Sequence, residues 1–347
     1  MLRNTSIAIL LFILAGSFIK PSMHVYPEKL SDWRIFEGKL SDMHPAKGVV
    51  PYALNTPLYS DYAEKARFVR LPKGASVNYA SENVLDFPVG TLLVKSFYYS
   101  ADFRHPGIDK NMIETRILVH ETAGWKAMTY VWNDAQTDAE LEIAGDDKTI
   151  KFIDKAGVQQ SFRYVVPNQN QCKGCHNNND KIMPIGPSVA QLNGTLAYAS
   201  GIQNQIEYWQ SNGLLVNVPQ HSTIPKTPVW NDPSSGSLNA RARAYLAINC
   251  AHCHRKEGPA QTSGLFLPES EKETIAYGIN KTPIAAGNGS GGRLVDIKPG
   301  DANASIIWYR MQTTNPGERM PELGRNLVHQ EGVALIKEWI DKMNNKD

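Results

Sequence analysis

Two short segments rich in cysteine and histidine constrain this chain more than any other feature. They read CKGCH at residues 172–176 and CAHCH at residues 250–254, and together they use all four cysteines of the sequence. In each segment two thiols stand about one helical turn apart and an imidazole follows at once, so three reactive groups project from one turn of backbone. The fold must therefore place both turns beside a chemical group that the thiols and imidazoles can bind or react with.

The Cys-x-x-Cys-His spacing is the attachment signature of c-type haem. The two thiols of a segment would bind the vinyl groups on one porphyrin edge, and the following imidazole would ligate the iron. The sequence thus predicts two covalently bound haem c groups, each with its iron. The predicted attachment residues are Cys172, Cys175, Cys250 and Cys253, and the predicted proximal ligands are His176 and His254.

Three other interpretations of the cysteines are two disulfides, two redox-active pairs, and one zinc ion. Zinc is disfavoured because the 74 residues from 176 to 249 separate the pairs, where zinc ribbons usually have about 15–20. All three interpretations leave the adjacent histidines unexplained. The chain has nine histidines in 347 residues, so two such placements would be rare by chance.

The N-terminal segment 1–22 is predicted to be a secretory signal peptide. A charged start is followed by the apolar run 6–16 and then by small and polar residues, the order typical of such peptides. The run is shorter than the roughly 20 residues of a membrane-spanning helix, and an uncleaved anchor is the alternative. This predicts a periplasmic location, the compartment in which c-type haem is attached. A net charge of +2 without a Lys/Arg run argues against a nucleic-acid partner.

A chain of 347 residues is long enough for two or three domains. Residues 25–166 are predicted to form a β-rich domain, because short β-branched and aromatic runs alternate with turn residues. The predicted strands are Thr91–Tyr99, Glu114–His120, Trp125–Trp132, Ala139–Ile143, Thr149–Ile153 and Ser161–Val166. Such regular short strands favour an antiparallel sandwich or barrel.

Residues 236–347 are predicted to form the second haem module. The helix-favouring run 238–249 leads into the second motif, and the amphipathic run 331–342 closes the chain. These helices, and the Arg-Met-Pro loop at 319–321, resemble the class I cytochrome c family. The resemblance implies that Met320 is the distal iron ligand, with Met311 as the weaker alternative.

Residues 167–235 are predicted to form the first haem module, closed by a helix over 201–213. The loop 186–194 resembles a loop of cytochromes c in which a proline carbonyl, here that of Pro187, accepts the proximal His Nδ1–H. The sixth ligand of this haem is left open. The alternatives are Met183, His221, a β-domain residue (Met112, Met128, His105 or His120), or an open position.

Taken whole, the chain resembles an uncharacterised family of bacterial dihaem c-type cytochromes. The matching stretches include 54–62, 86–95, 184–192, 258–265, 289–300 and 319–328, besides the two motifs. The resemblance implies haem binding and electron transfer between redox partner proteins, without a defined substrate. The expected fold is α+β multidomain: an antiparallel β-sandwich-like domain followed by two mainly α-helical cytochrome c-like modules.

Two other functions remain open at this point. A dihaem peroxidase-like oxidoreductase would have an open iron at the first site and an acid/base group nearby, for which Glu207 is a weak candidate. A redox-linked binding or assembly protein would carry its function in the β domain, with the haems as sensors.

Overall fold

The computed structural model describes residues 26–344, so the predicted signal peptide lies outside the described residues. The strands are β1 (Phe36–Glu37), β2 (His44–Pro45), β3 (Val49–Tyr52), β4 (Glu64–Arg70), β5 (Val77–Asn78), β6 (Leu92–Ser100), β7 (Lys110–Glu121), β8 (Gly124–Trp132), β9 (Ala139–Glu142), β10 (Asp146–Ile153), β11 (Gln159–Val166), β12 (Asn177–Asn178), β13 (Lys181–Ile182), β14 (Thr195–Tyr198), β15 (Gly201–Asn204) and β16 (Leu215–Val216). The α-helices are α1 (Gln169–His176), α2 (Val189–Leu192), α3 (Gln205–Ser211), α4 (Leu238–Cys250), α5 (Ile306–Gln312) and α6 (Gln330–Asp341).

A six-stranded antiparallel sheet in the order β3-β4-β6-β7-β8-β9 forms the centre of the molecule. Its longer strands are rich in β-branched and aromatic residues, which fit a pleated, packed surface. Each of the six strands predicted between residues 91 and 166 is present, with ends shifted by a few residues. The last two do not join this sheet. They pair with each other, and Ile153 at the end of β10 makes one isolated bridge to Asp102.

The two faces of the sheet pack against different parts of the chain. Alternation along β6 places Leu92 and Val94 on one face, in a core with the N-terminal segment that includes Leu30 and Phe36. Leu93 lies on the other face, in a core with residues from the region 189–224, among them Trp209. The region that follows the β domain therefore shares its hydrophobic core with the sheet.

The C-terminal region has a core of its own around α4 and α6. The helices predicted over 238–249 and 331–342 are both present. A Cβ on Gly332 would overlap the Tyr245 hydroxyl, so glycine at this position permits the close approach of the two helices. Trp339 Nε1 donates to Asn239 Oδ1 at 2.9 Å across the same contact.

The predicted fold class is wrong in its helical part. The structure is β-rich, with 27% strand against 22% helix, and two cytochrome c-like helical modules are not formed. The region 167–235 contains three short helices together with the strands β12–β16. Within the predicted helix 201–213, the first residues instead form the strand β15, which pairs with β14. Between α4 and α5 the described chain forms turns and 3₁₀ segments, which provide fewer helical surfaces than the resemblance implied.

No helix among residues 26–344 is both long enough and apolar enough to cross a bilayer.

Candidate functional site

Both Cys-x-x-Cys-His motifs line one cavity of about 940 Å³. Strands β6, β7 and β8 contribute one wall, α1 and the end of α4 carry the motifs, and the loop around Met320 lies opposite. This volume lies at the upper end of the roughly 300–1,000 Å³ typical of small-molecule and cofactor sites. We refer to it below as the shared cavity.

Helix α1 holds the first motif in place through its N-terminal cap. Asn168 Oδ1 accepts from the backbone N–H of Gln171, and Gln171 Oε1 accepts from that of Asn168, each at 2.9 Å. This reciprocal capping box satisfies two amides that would otherwise lack partners. It starts an eight-residue helix that places Cys172 and Cys175 one turn apart.

The second motif begins at the C-terminal end of α4. Cys250 is the last helical residue, and its carbonyl accepts from the backbone N–H of Cys253 at 3.1 Å and of His254 at 2.9 Å. This turn directs the second thiol and the imidazole toward the first motif. Burial raises the pKa of the Cys250 thiol to about 12, so that thiol stays protonated at neutral pH.

The two motifs are in direct contact. Cys253 Sγ lies 3.8 Å from the carbonyl oxygen of Gly174, and the Cys253 thiol hydrogen bonds to the sulfur of Cys175. That hydrogen bond lowers the pKa of Cys175 and raises that of Cys253. Arg255 strengthens the contact by donating to the Asn177 carbonyl at 3.2 Å. The motifs thus form one site, where separate modules were expected.

Both predicted proximal histidines are oriented by bonds through Nδ1. His176 Nδ1 lies 2.8 Å from the Met183 carbonyl oxygen and donates to it, while His254 Nδ1 lies 3.4 Å from Ser263 Oγ. Burial lowers the pKa of each imidazole to about 4. Each ring is therefore neutral at pH 7, and the Nε2 of His176 keeps its lone pair.

The prediction for Pro187 is wrong. Its carbonyl accepts from the backbone N–H of Leu85 at 3.0 Å, and the Met183 carbonyl takes the place beside His176. The reason is local: the tight β12–β13 hairpin brings residue 183 back alongside the end of α1.

The loop that carries Met320 is fixed against both the β domain and α5. The Met320 N–H donates to the Arg310 carbonyl at 2.9 Å. The buried Asp61 carboxylate accepts from the backbone amides of Asn326 and Leu327 at 2.7–2.9 Å. Met320 lines the shared cavity, and so does the alternative Met311.

Of the further ligand candidates, Met128 borders the shared cavity, but its side chain lies with that of Met112 in the core on the far face of the sheet. His120 Nδ1 bonds to the Phe87 carbonyl at 2.7 Å. His221 lies 3.7 Å from Glu207, outside the cavity lining. These positions depend on tertiary contacts that residue type alone does not show.

Sequence reasoning missed His252, which lies between the two thiols of the second motif. It is 7% exposed, its Nδ1 is buried without a hydrogen-bond partner, and its ring hydrogen bonds to Cys175, which further lowers the pKa of that thiol. Its position inside the motif was a signal that could have been used.

Sequence reasoning also missed a line of side chains across the sheet wall. Arg67 pairs with Lys95, Lys95 with Arg116, and Arg116 with Thr129 in the strand registers of β4, β6, β7 and β8. Residues directly opposite in a sheet share a face, and all four line the shared cavity. We call the three charged residues, Arg67, Lys95 and Arg116, the cation row. The Thr129 hydroxyl hydrogen bonds to the Cys172 thiol, which connects the row to the first motif.

The cofactor prediction requires donor side chains grouped around each iron. Among residues 26–344 there is no group of three or more His, Cys, Asp or Glu that could hold a metal ion, and the described cysteines are all free thiols. By that criterion the prediction of two covalently bound haem c groups is wrong, and the expected pair of separate helical sites is replaced by one shared cavity.

No protein-family model, no curated protein and no solved structure matches this chain.

Proposed function

We propose that this protein is an exported redox protein that transfers electrons between partner proteins, with the shared cavity as its redox centre. The observation that supports the proposal is the meeting of both Cys-x-x-Cys-His motifs in that cavity, with Cys175 and Cys253 in hydrogen-bond contact. Two cysteine side chains in contact are themselves a redox-active group, because they can be oxidised to a disulfide and reduced again. Export, which segment 1–22 predicts, would place them in an oxidising compartment, where disulfides form.

The chain's own side chains supply one redox couple at this site. Oxidation of the Cys175 thiolate and the Cys253 thiol would form one S–S bond and release one proton and two electrons, which a partner protein would accept. Reduction by a second partner would reverse each of these changes. Because the contact lowers the pKa of Cys175, Cys175 is the thiolate of the pair, and the thiolate is the reactive form.

Electron transfer is favoured over the peroxidase-like alternative because the acid/base candidate is misplaced. Glu207 is exposed and contacts His221 away from the shared cavity. Two of the three carboxylates that line the cavity are buried and already have partners: Asp61 accepts backbone amides, and Asp296 binds Lys281 Nζ at 3.0 Å. Neither of these two is free to move a proton to or from peroxide, and the third, Glu322, is an exposed residue of the loop that carries Met320.

The test is reductive and oxidative titration of the exported protein, purified from cells that make it with its own leader. Optical spectra in both states and a count of thiols after denaturation identify the group that takes up electrons. We expect reversible electron uptake that Cys175→Ser abolishes. Cys250→Ser is the matched control. It removes the other thiol of the second motif and leaves the Cys175–Cys253 contact intact.

The outcomes separate the possibilities. A protein that takes up no electrons reversibly would overturn the proposal. Loss of uptake in Cys175→Ser with retention in Cys250→Ser would assign the couple to the contact pair. A pigment that stays attached after denaturation, with no titratable thiol, would overturn the assignment of the redox couple to Cys175 and Cys253.

A further inference from the structure

The cation row is an unusual arrangement for the inside of a protein. Arg67, Lys95 and Arg116 stand directly opposite one another on three adjacent strands. Like charges in directly opposed positions destabilise a sheet. Arg67 is 8% exposed, so water does little to screen the repulsion.

Only part of this charge is neutralised by the protein. The buried Glu114 carboxylate accepts from Arg116 Nε at 2.8 Å, and a second guanidinium nitrogen of Arg116 binds its other oxygen. Within residues 26–344, Arg67 and Lys95 have no ion pair with a carboxylate. Arg67 Nη2 is buried without a hydrogen-bond partner, and an unpaired buried donor costs about 1–3 kcal/mol, more when it is charged.

The surroundings of the row are apolar. On the same face of the sheet, the core containing Val69 and Leu93 lies on one side of it, and the core containing Phe97 lies on the other. The shared cavity opens over the row between them. A ligand that fills this space would meet apolar side chains along its body and, at one point, the Arg67 guanidinium and the Lys95 amine, neither of which is paired with a carboxylate. Lys95 Nζ lies 4.6 Å from the Phe97 ring centroid, and burial beside other cations lowers the pKa of Lys95, so a carboxylate in this space would favour its charged form.

We propose that the cation row binds the carboxylate of an amphipathic ligand held in the shared cavity, with Arg67 and Lys95 as the residues that neutralise it. A guanidinium presents parallel N–H donors that match the two oxygens of a carboxylate. The carboxylate would supply the partner that Arg67 Nη2 lacks and would relieve the repulsion between the two cations. This assignment does not depend on electron transfer, because a ligand can bind here whether or not the site is redox-active.

The carboxylate could belong to a free organic acid or to a larger group retained during purification, and two measurements distinguish them. Mass spectrometry of the protein as isolated, under native and then denaturing conditions, identifies any retained molecule and its acidic groups. If nothing is retained, titration with decanoate and with decanol compares one apolar chain with and without a carboxylate.

Arg67→Gln is the main variant, and Lys126→Gln is the matched control. Lys126 is an exposed residue of β8 outside the cavity lining, so both variants lose one positive charge from the same sheet. We expect Arg67→Gln to weaken decanoate binding, or retention of the isolated acid, by about tenfold to a hundredfold, the range for a charge-assisted hydrogen bond. Decanol binding should not change, and Lys126→Gln should match the wild type.

Lys95→Gln keeps the proposal testable if Arg67→Gln does not fold. Removing one of two facing cations should raise the melting temperature of the ligand-free protein and reduce the further rise that decanoate produces. A retained molecule without an acidic group, or decanoate that binds no better than decanol, would overturn the assignment.

Discussion

The two motif regions of the molecule are built in different ways although their sequences are nearly the same. The second motif begins at the last residue of a thirteen-residue helix that packs on α6 within a core of its own. The first motif lies on an eight-residue helix that contacts β8 of the central sheet. Short isolated helices are marginal in water, so α1 relies on tertiary contacts that α4 needs less. The same motif can thus be supported by a local helix pair or by a distant sheet.

The largest effect is expected from truncating a side chain in the core that the central sheet shares with the region 189–224. Trp209 is fully buried between α3 and the sheet, and we expect Trp209→Ala to lower the free energy of unfolding by about 3–5 kcal/mol. Because the core is shared, amide hydrogen exchange should rise in β6 as well as in α3. Trp339→Ala is the matched control in the C-terminal core and should leave β6 protected. Unchanged protection of β6 in Trp209→Ala would show that residues 167–235 pack as an independent unit.

A smaller effect on stability is expected from pH, because His329 in the C-terminal region binds its proton at a different pH in the folded and unfolded protein. His329 stacks on Tyr59 with ring centroids 4.2 Å apart, and burial lowers its pKa to about 4. The unfolded chain, with a histidine pKa near 6.5, binds this proton at a higher pH than the folded protein does. Stability is therefore lost as pH falls from about 6.5 to about 4, by at most about 3 kcal/mol for this residue.

His329→Asn measures that contribution. Asparagine can keep a polar atom near Tyr245 Oη, which lies 2.8 Å from His329 Nδ1, and it does not titrate. We expect denaturant unfolding of the variant to show a shallower loss of stability between pH 6.5 and 4. The remaining loss should come from His176 and His254, whose pKa values are lowered in the same direction. An unchanged slope would mean that His329 is protonated in the folded protein.

The difference between local and long-range contacts explains which parts of the fold and of the site the sequence could predict. The strands β6 to β8 and the helices α4 and α6 follow from local periodicity and were found. The cation row could not be found in this way, because alternation along a strand does not say whether the polar face meets solvent or a cavity. Lys95 and Arg116 resemble ordinary solvent-facing positions until the register of β6 and β7 brings them together. The sharing of one cavity by two motifs likewise depends on pairing between residues far apart in the chain.

The close contact of α4 and α6 can be tested at Gly332. A methyl group there would overlap the Tyr245 hydroxyl, and such overpacking costs about 1–3 kcal/mol, offset by about 1 kcal/mol of helix propensity. We expect Gly332→Ala to be destabilised by about 1 kcal/mol in thermal unfolding, without an effect on exchange in β6. Adding Tyr245→Phe should recover part of the loss, and no recovery would place the strain elsewhere.

An effect of similar size to that at Gly332 compares the N-terminal caps of the two motif helices. Asn168 caps α1 through Gln171, and Ser237 caps α4 by accepting from the Ala240 N–H at 3.2 Å. Replacing either by Ala should cost about 0.5–2 kcal/mol. The local response should differ: Asn168→Ala should speed amide exchange throughout α1, because eight residues leave little helix beyond the first turn. Ser237→Ala should affect the first turn of α4 and leave its last turn, next to Cys250, protected by packing on α6. Equal loss of protection at both motifs would contradict this comparison. It would mean that contacts with the sheet stabilise α1 as strongly as packing on α6 stabilises α4.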